Sequence, residues 1–174
     1  MTWLRAAAAG ALVVVALLLQ VSVFPHIAWE GVVPNLALLV VVGAALTRGP
    51  QFAMTLGFAA GVLLDLAPPA DHTAGRWALA LLLVGYVAGR VRQDLRPGAG
   101  SVVATVAASS FLGTSVFALS GLVLGDLDVG PAIGSGGLLQ VVAIAVVWDV
   151  LLTPFVLPLV MRVLERLEPA TATV

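Results

Sequence analysis

Long apolar runs separated by brief polar interruptions set the pattern of this chain. The first run, 4–24, covers about 21 residues and at about 1.5 Å per residue is long enough to cross a bilayer core. The second, 32–47, and the third, 52–66, are joined at Arg48-Gly49-Pro50-Gln51. Gly and Pro there predict a tight helical hairpin. Both runs are short for a bilayer, which local thinning or capping by neighbouring helices would accommodate. After a loop holding Pro68, Pro69, Asp71 and His72 comes a fourth run, 77–89. A charged loop over 90–100 precedes the fifth, 101–124. A Gly- and Asp-rich loop over 125–136 precedes the sixth, 137–161, which contains Pro154 and Pro158. The pattern predicts an all-α polytopic membrane protein, a compact bundle of about six transmembrane helices forming one integral membrane domain over 1–174. Arg5 ahead of Ala- and Val-rich sequence also resembles a secretory leader. Because the apolar runs continue along the chain, an uncleaved first helix is expected.

Charge orients the helices. Arginines concentrate in cytoplasmic loops. With the N-terminus inside, Arg5, Arg48, Arg90, Arg92, Arg96, Arg162 and Arg166 all fall inside, and only Arg76 falls outside. Both termini are therefore expected to be cytoplasmic. The outer loops then carry Glu30, Asp71, Asp126, Asp128 and both histidines, His26 and His72. The loops are too short for a soluble domain on either side.

Composition strengthens this reading. Of 174 residues, 61% are hydrophobic and 10% charged, whereas a soluble domain is about 25% charged. Polar surface is too scarce to cover a globule in water. A net charge of −1 gives no support to nucleic-acid binding. The chain has no cysteine, hence no disulfide and no Cys-ligated metal. No His-Glu-x-x-His and no Walker-type loop occur. Gly134-Ser135-Gly136-Gly137 follows no strand pattern and reads as a linker, not a nucleophile elbow. No cofactor, metal or catalytic residue is expected, and the chain does not read as an enzyme.

Within the runs, small residues and two acids stand out. Gly57 and Gly61, Gly85 and Gly89, and Gly121 and Gly125 each form a Gly-x-x-x-Gly pattern. Such pairs let helix backbones approach closely in lipid. They suit either a face that docks a second protein or internal packing of the bundle. Asp65 lies four residues beyond Gly61 on the same helix face. At a helix C-terminus the macrodipole disfavours a carboxylate, so Asp65 is expected to pair with Arg76 or to reach the outer headgroups. Asp149 lies inside the sixth run. A charge at that depth costs at least about 2.5–3.5 kcal/mol. It is expected to be neutral or hydrogen-bonded to the fifth helix, which offers Thr105, Ser109, Ser110, Thr114 and Ser115. A break at Pro154 would instead bring it nearer the cytoplasmic face. A proton or ion relay and a single structural contact both fit this residue. Gln20, Ser22 and Asn35 read as capping and turn residues.

Several segments taken in order resemble the bacterial rod shape-determining MreD family. They are Gln20-Val-Ser-Val-Phe-Pro25, Pro34-Asn-Leu-Ala-Leu-Leu39, Ala45-Leu46 with Arg48-Gly49, Gly57-Phe58 through Gly61 to Asp65-Leu66 and Pro68-Pro69, and Gly85-Tyr86-Val-Ala-Gly89-Arg90. The chain departs from the family at Asn35, where members often carry Asp. The resemblance covers nearly the whole chain. It implies a scaffold subunit of the elongation machinery in the bacterial plasma membrane. Its implied partners are an MreC-like bitopic protein, MreB filaments, and the wall-synthesis glycosyltransferase and transpeptidase, with membrane lipid around it. Gly57, Gly61, Asp65, Arg76, Gly85, Gly89 and Asp149 are the candidate structural or partner-binding residues. In size and topology alone the chain is also similar to the substrate-binding component of an energy-coupling-factor vitamin transporter. Such a protein needs a polar or aromatic cavity, for which Trp29, Trp77, Tyr86, Asp65 and Arg76 are the few candidates.

Overall fold

Six helices account for most of the described residues of the computed structural model, which are 2–68, 72–94, 98–125 and 137–166. They are α1 (Thr2–Ser22), α2 (Leu36–Arg48), α3 (Pro50–Leu66), α4 (Arg76–Asp94), α5 (Ala99–Leu124) and α6 (Gly137–Arg166). The expectations attached to Asp71, Arg96, Asp126, Asp128 and the linker at 134–136 lie outside the described residues.

The helix ends differ from the apolar runs for local reasons. Residues 32–35 are not helical, because Pro34 precedes an N-cap at Asn35 whose side-chain oxygen accepts from the Leu38 N–H at 2.9 Å. The preceding loop turns through a 3-10 segment, Phe24–Ile27, and an isolated bridge between Trp29 and Val32. Gly49, at φ 84°, closes α2 and opens α3, with Pro50 at the first position of α3. Beyond its apolar run α4 continues to Asp94, carrying Arg90 and Arg92 within the helix. No break occurs at Pro154: α6 passes through both prolines to Arg166. Pro154 and Pro158 lie on its exposed face, so their missing N–H groups leave α6 free to pack its other side.

In α2 every residue from Leu36 to Ala45 is buried. It sits at the centre and touches all five other helices. Its direction follows from three contacts with α6: Asn35 at Asp149, Gly43 at Val160, and Arg48 at Leu164. These run in step, so α2 and the second half of α6 are parallel. The α3–α4 pair is an antiparallel hairpin with the most extensive helix–helix contact in the molecule. α1 lays Ala9, Val13, Ala16, Leu17 and Gln20 inward, a single helical stripe.

Large apolar side chains stand exposed on the outer faces, among them Val15 and Leu18 on α1, Leu122 and Val123 on α5, and Phe155 and Leu159 on α6. So much exposed apolar surface suits lipid, not water. By length and composition α5 and α6 qualify as membrane-crossing helices, while the apolar stretches of α1, α2 and α3 are shorter. This architecture is that of a helical membrane protein.

Candidate functional site

A helix start leaves backbone N–H groups without intrahelical acceptors. The start of α2 is buried, so water cannot serve them. Three other groups do so. Asp149 of α6, 1% exposed, accepts from the Asn35 N–H through Oδ1 at 2.8 Å. Gln20 of α1 accepts from the Ala37 N–H at 3.3 Å. Asn35 caps Leu38 itself, a role Asp fills equally well. Of the five α5 hydroxyls expected to meet it, Ser110 donates to Asp149 Oδ2 at 2.7 Å. Thr153 turns its hydroxyl back to the Asp149 carbonyl at 2.7 Å. One carboxylate thus ties α2, α5 and α6 together at a single level. Beside it, Asn35 Nδ2 and Trp148 Nε1 are buried donors without a hydrogen-bond partner among the described residues.

Asp65 plays the matching part at the start of α4. Among the described residues no ion pair joins it to Arg76, contrary to one of the two expectations for this residue. Its oxygens instead accept from the backbone N–H groups of Gly75 at 2.8 Å, Trp77 at 3.0 Å and Ala78 at 3.1 Å. The reason is geometric. The hairpin sets the C-terminus of α3 beside the N-terminus of α4, whose dipole and free N–H groups suit an anion. His72 Nδ1 lies 3.8 Å from Asp65 Oδ1. Arg76 points to α5, where Nε and Nη2 donate to the Phe117 carbonyl at 3.2 and 2.8 Å. Its guanidinium carbon sits 4.0 Å from the Phe117 ring centroid. Trp77 stacks on the same ring at 4.3 Å and His72 meets it edge-on at 5.1 Å. Gly121 leaves the space that the Arg76 guanidinium fills.

Replacing Asp65 with asparagine tests this cap. An amide offers one acceptor oxygen and turns two N–H donors toward backbone donors. The expected loss is about 1–2 kcal/mol, read as a lower midpoint of thermal unfolding in detergent. An unchanged midpoint would show that water, not Asp65, serves the start of α4.

The glycine patterns of α3 and α4 face each other. A Cβ on Gly57 would strike the Leu81 backbone, and one on Gly61 the Trp77 and Ala78 backbone. In return Gly85 abuts the Ala53 backbone and Gly89 abuts Pro50. These four positions therefore lie in a seam filled by the chain's own helices. Gly125 ends α5 in the left-handed conformation, φ 71°.

At the other end of the bundle, Arg48 donates through Nη2 to the Leu164 carbonyl at 2.6 Å, serving the free carbonyls that end α6. Gly89 against Pro50 and Arg92 beside Gly49 bring the end of α4 to the same place. Arg48, Arg90, Arg92, Arg162 and Arg166 thus share one end of the molecule. Single-sequence reasoning missed Phe117 and the His72 contact, and it marked Gly121 only as part of a Gly-x-x-x-Gly pattern, since an aromatic or glycine inside an apolar run carries no signal of its partner. Gln20 was legible as a capping or turn residue, but not as a partner for the start of α2.

Among the described residues no group of three His, Asp or Glu side chains is placed to hold a metal ion. Asp65, Gln20, Asn35, Arg48 and Asp149 serve helix ends, while Arg76 serves a carbonyl within α5. A family model described as rod shape-determining protein MreD matches residues 3–163. No curated protein and no solved structure matches the chain.

Proposed function

The chain belongs to the rod shape-determining protein MreD family, and from that premise we propose that it is a non-enzymatic scaffold subunit of the bacterial elongation complex. In this reading it crosses the plasma membrane six times with both termini in the cytoplasm. It binds an MreC-like single-span protein and helps couple MreB filaments to the glycosyltransferase and transpeptidase of lateral wall synthesis. The family match over 3–163 carries the reading.

The polar chemistry supports it. A transport or catalytic site keeps polar groups directed at a cavity for its ligand. Here the two buried acids are taken up by backbone N–H groups and one serine hydroxyl. That use makes a rigid body, which is what a scaffold contributes. The arginine distribution favours the stated orientation. Purification of a tagged copy from native membranes in mild detergent, with mass spectrometry of what comes with it, tests the proposal. An MreC-like protein and wall-synthesis enzymes are the expected companions. Recovery of an ATPase module with a membrane coupling subunit would overturn the scaffold reading in favour of vitamin transport.

A further inference from the structure

The exposed side of α6 changes character along its length. Leu151, Phe155, Leu159, Arg162 and Arg166 follow one another at intervals of three or four residues and so form one stripe. The three apolar members are 57%, 76% and 60% exposed. Both arginines are exposed as well. Among the described residues neither makes a hydrogen bond or an ion pair, in contrast to Arg48, which holds the Leu164 carbonyl. Glu165 is the one described acid on this last turn. Arg90 and Arg92, exposed at the end of α4, add positive charge at the same end.

We propose that this stripe holds an anionic diacyl phospholipid, with its chains along Leu151, Phe155 and Leu159 and its phosphate between Arg162 and Arg166. The dimensions agree. From Leu151 to Arg162 is about 17 Å along a helix, and one leaflet of a hydrocarbon core is about 15 Å deep. Arg166, one turn further, reaches headgroup depth. Guanidinium groups bind phosphate through paired N–H donors. An acidic protein segment would match the arginines but not the apolar stretch beneath them. A zwitterionic lipid would match the apolar stretch but offer no net charge to the arginines. The proposal rests on the membrane placement of the chain. Resistance of the protein to alkaline carbonate extraction reads that premise separately.

Native mass spectrometry of the detergent-purified full chain, titrated with phosphatidylglycerol, phosphatidylcholine of the same chains, or glycerol phosphate, tests it. Phosphatidylglycerol adducts are expected to persist where phosphatidylcholine adducts are stripped, and glycerol phosphate is expected to leave none. Arg162→Gln and Arg166→Gln should each weaken phosphatidylglycerol binding about fivefold, and the Lys versions should retain most of it. Phe155→Ala should weaken both lipids alike. Equal retention of the two lipids by the unaltered protein would overturn the proposal without recourse to any variant. So would binding of chain-free glycerol phosphate, or full phosphatidylglycerol affinity in the double Gln variant.

Discussion

Gly61→Leu should force the α3–α4 hairpin apart and sharply lower the midpoint of thermal unfolding. Its Cβ alone would occupy the position of the Ala78 and Trp77 backbone. Backbone cannot rotate away as a side chain can, so the two helices must separate. Their separation would also pull Asp65 from the α4 N–H groups it serves. Overpacking costs about 1–3 kcal/mol in ordinary cores, and a backbone seam places this substitution at about 3 kcal/mol. Gly61→Ala should show a smaller loss of the same sign. Gly10→Ala is the control, because nothing lies within 4 Å of the added Cβ. There the greater helix propensity of Ala should give a gain of up to about 1 kcal/mol. Thermal unfolding in detergent reads all three. A Gly61→Leu protein with an unaltered midpoint would mean that the α3–α4 seam is looser than its geometry.

Asp149→Ala should be nearly as damaging, by a different route. It strands the Asn35 N–H at the start of α2 and removes the acceptor of the Ser110 hydroxyl. Both donors are buried, and an orphaned buried donor costs about 1–3 kcal/mol. The expected total is about 2–3 kcal/mol. Asp149→Asn separates the two readings of this acid. Its amide oxygen can still accept from Asn35, and Ser110 can rotate from donor to acceptor to meet the amide N–H. If the residue only joins helices, Asn should restore stability and rod shape in a cell whose own copy is removed. A stable Asn variant that fails to restore shape would point to a relay that needs an ionisable group.

The two acids show what a single sequence can and cannot disclose. Their positions in apolar runs made each of them conspicuous, because charge in that setting requires a partner. Helix periodicity placed Asp65 on the glycine face. It could not identify the partner, because backbone N–H groups have no letter in a sequence. Side chains alone offer Asp65 only Arg76 or the outer headgroups, and the nearer donors are the amides of residues 75, 77 and 78. Arg76 in turn went to a carbonyl of α5 that nothing in the sequence marks. The helices themselves were legible from hydropathy. Their ends were not, where charged residues at Arg90 and Arg92 or prolines at 154 and 158 continued a helix that composition would stop.

The burial of α2 inverts the usual relation between sequence character and mutational tolerance. Leu36 to Ala45 contains nothing but Leu, Ala, Val and Gly, and by composition any greasy helix would replace it. In most membrane helices that holds on the lipid side, where one aliphatic residue serves as well as another. Here no side is spare. Each of these ten positions meets protein, and Gly43 already presses against Val160. The least distinctive segment of the chain is thus the one with the least freedom to vary, and conservative-looking exchanges such as Ala44 to Leu carry the cost of a core substitution around the whole circumference of the helix.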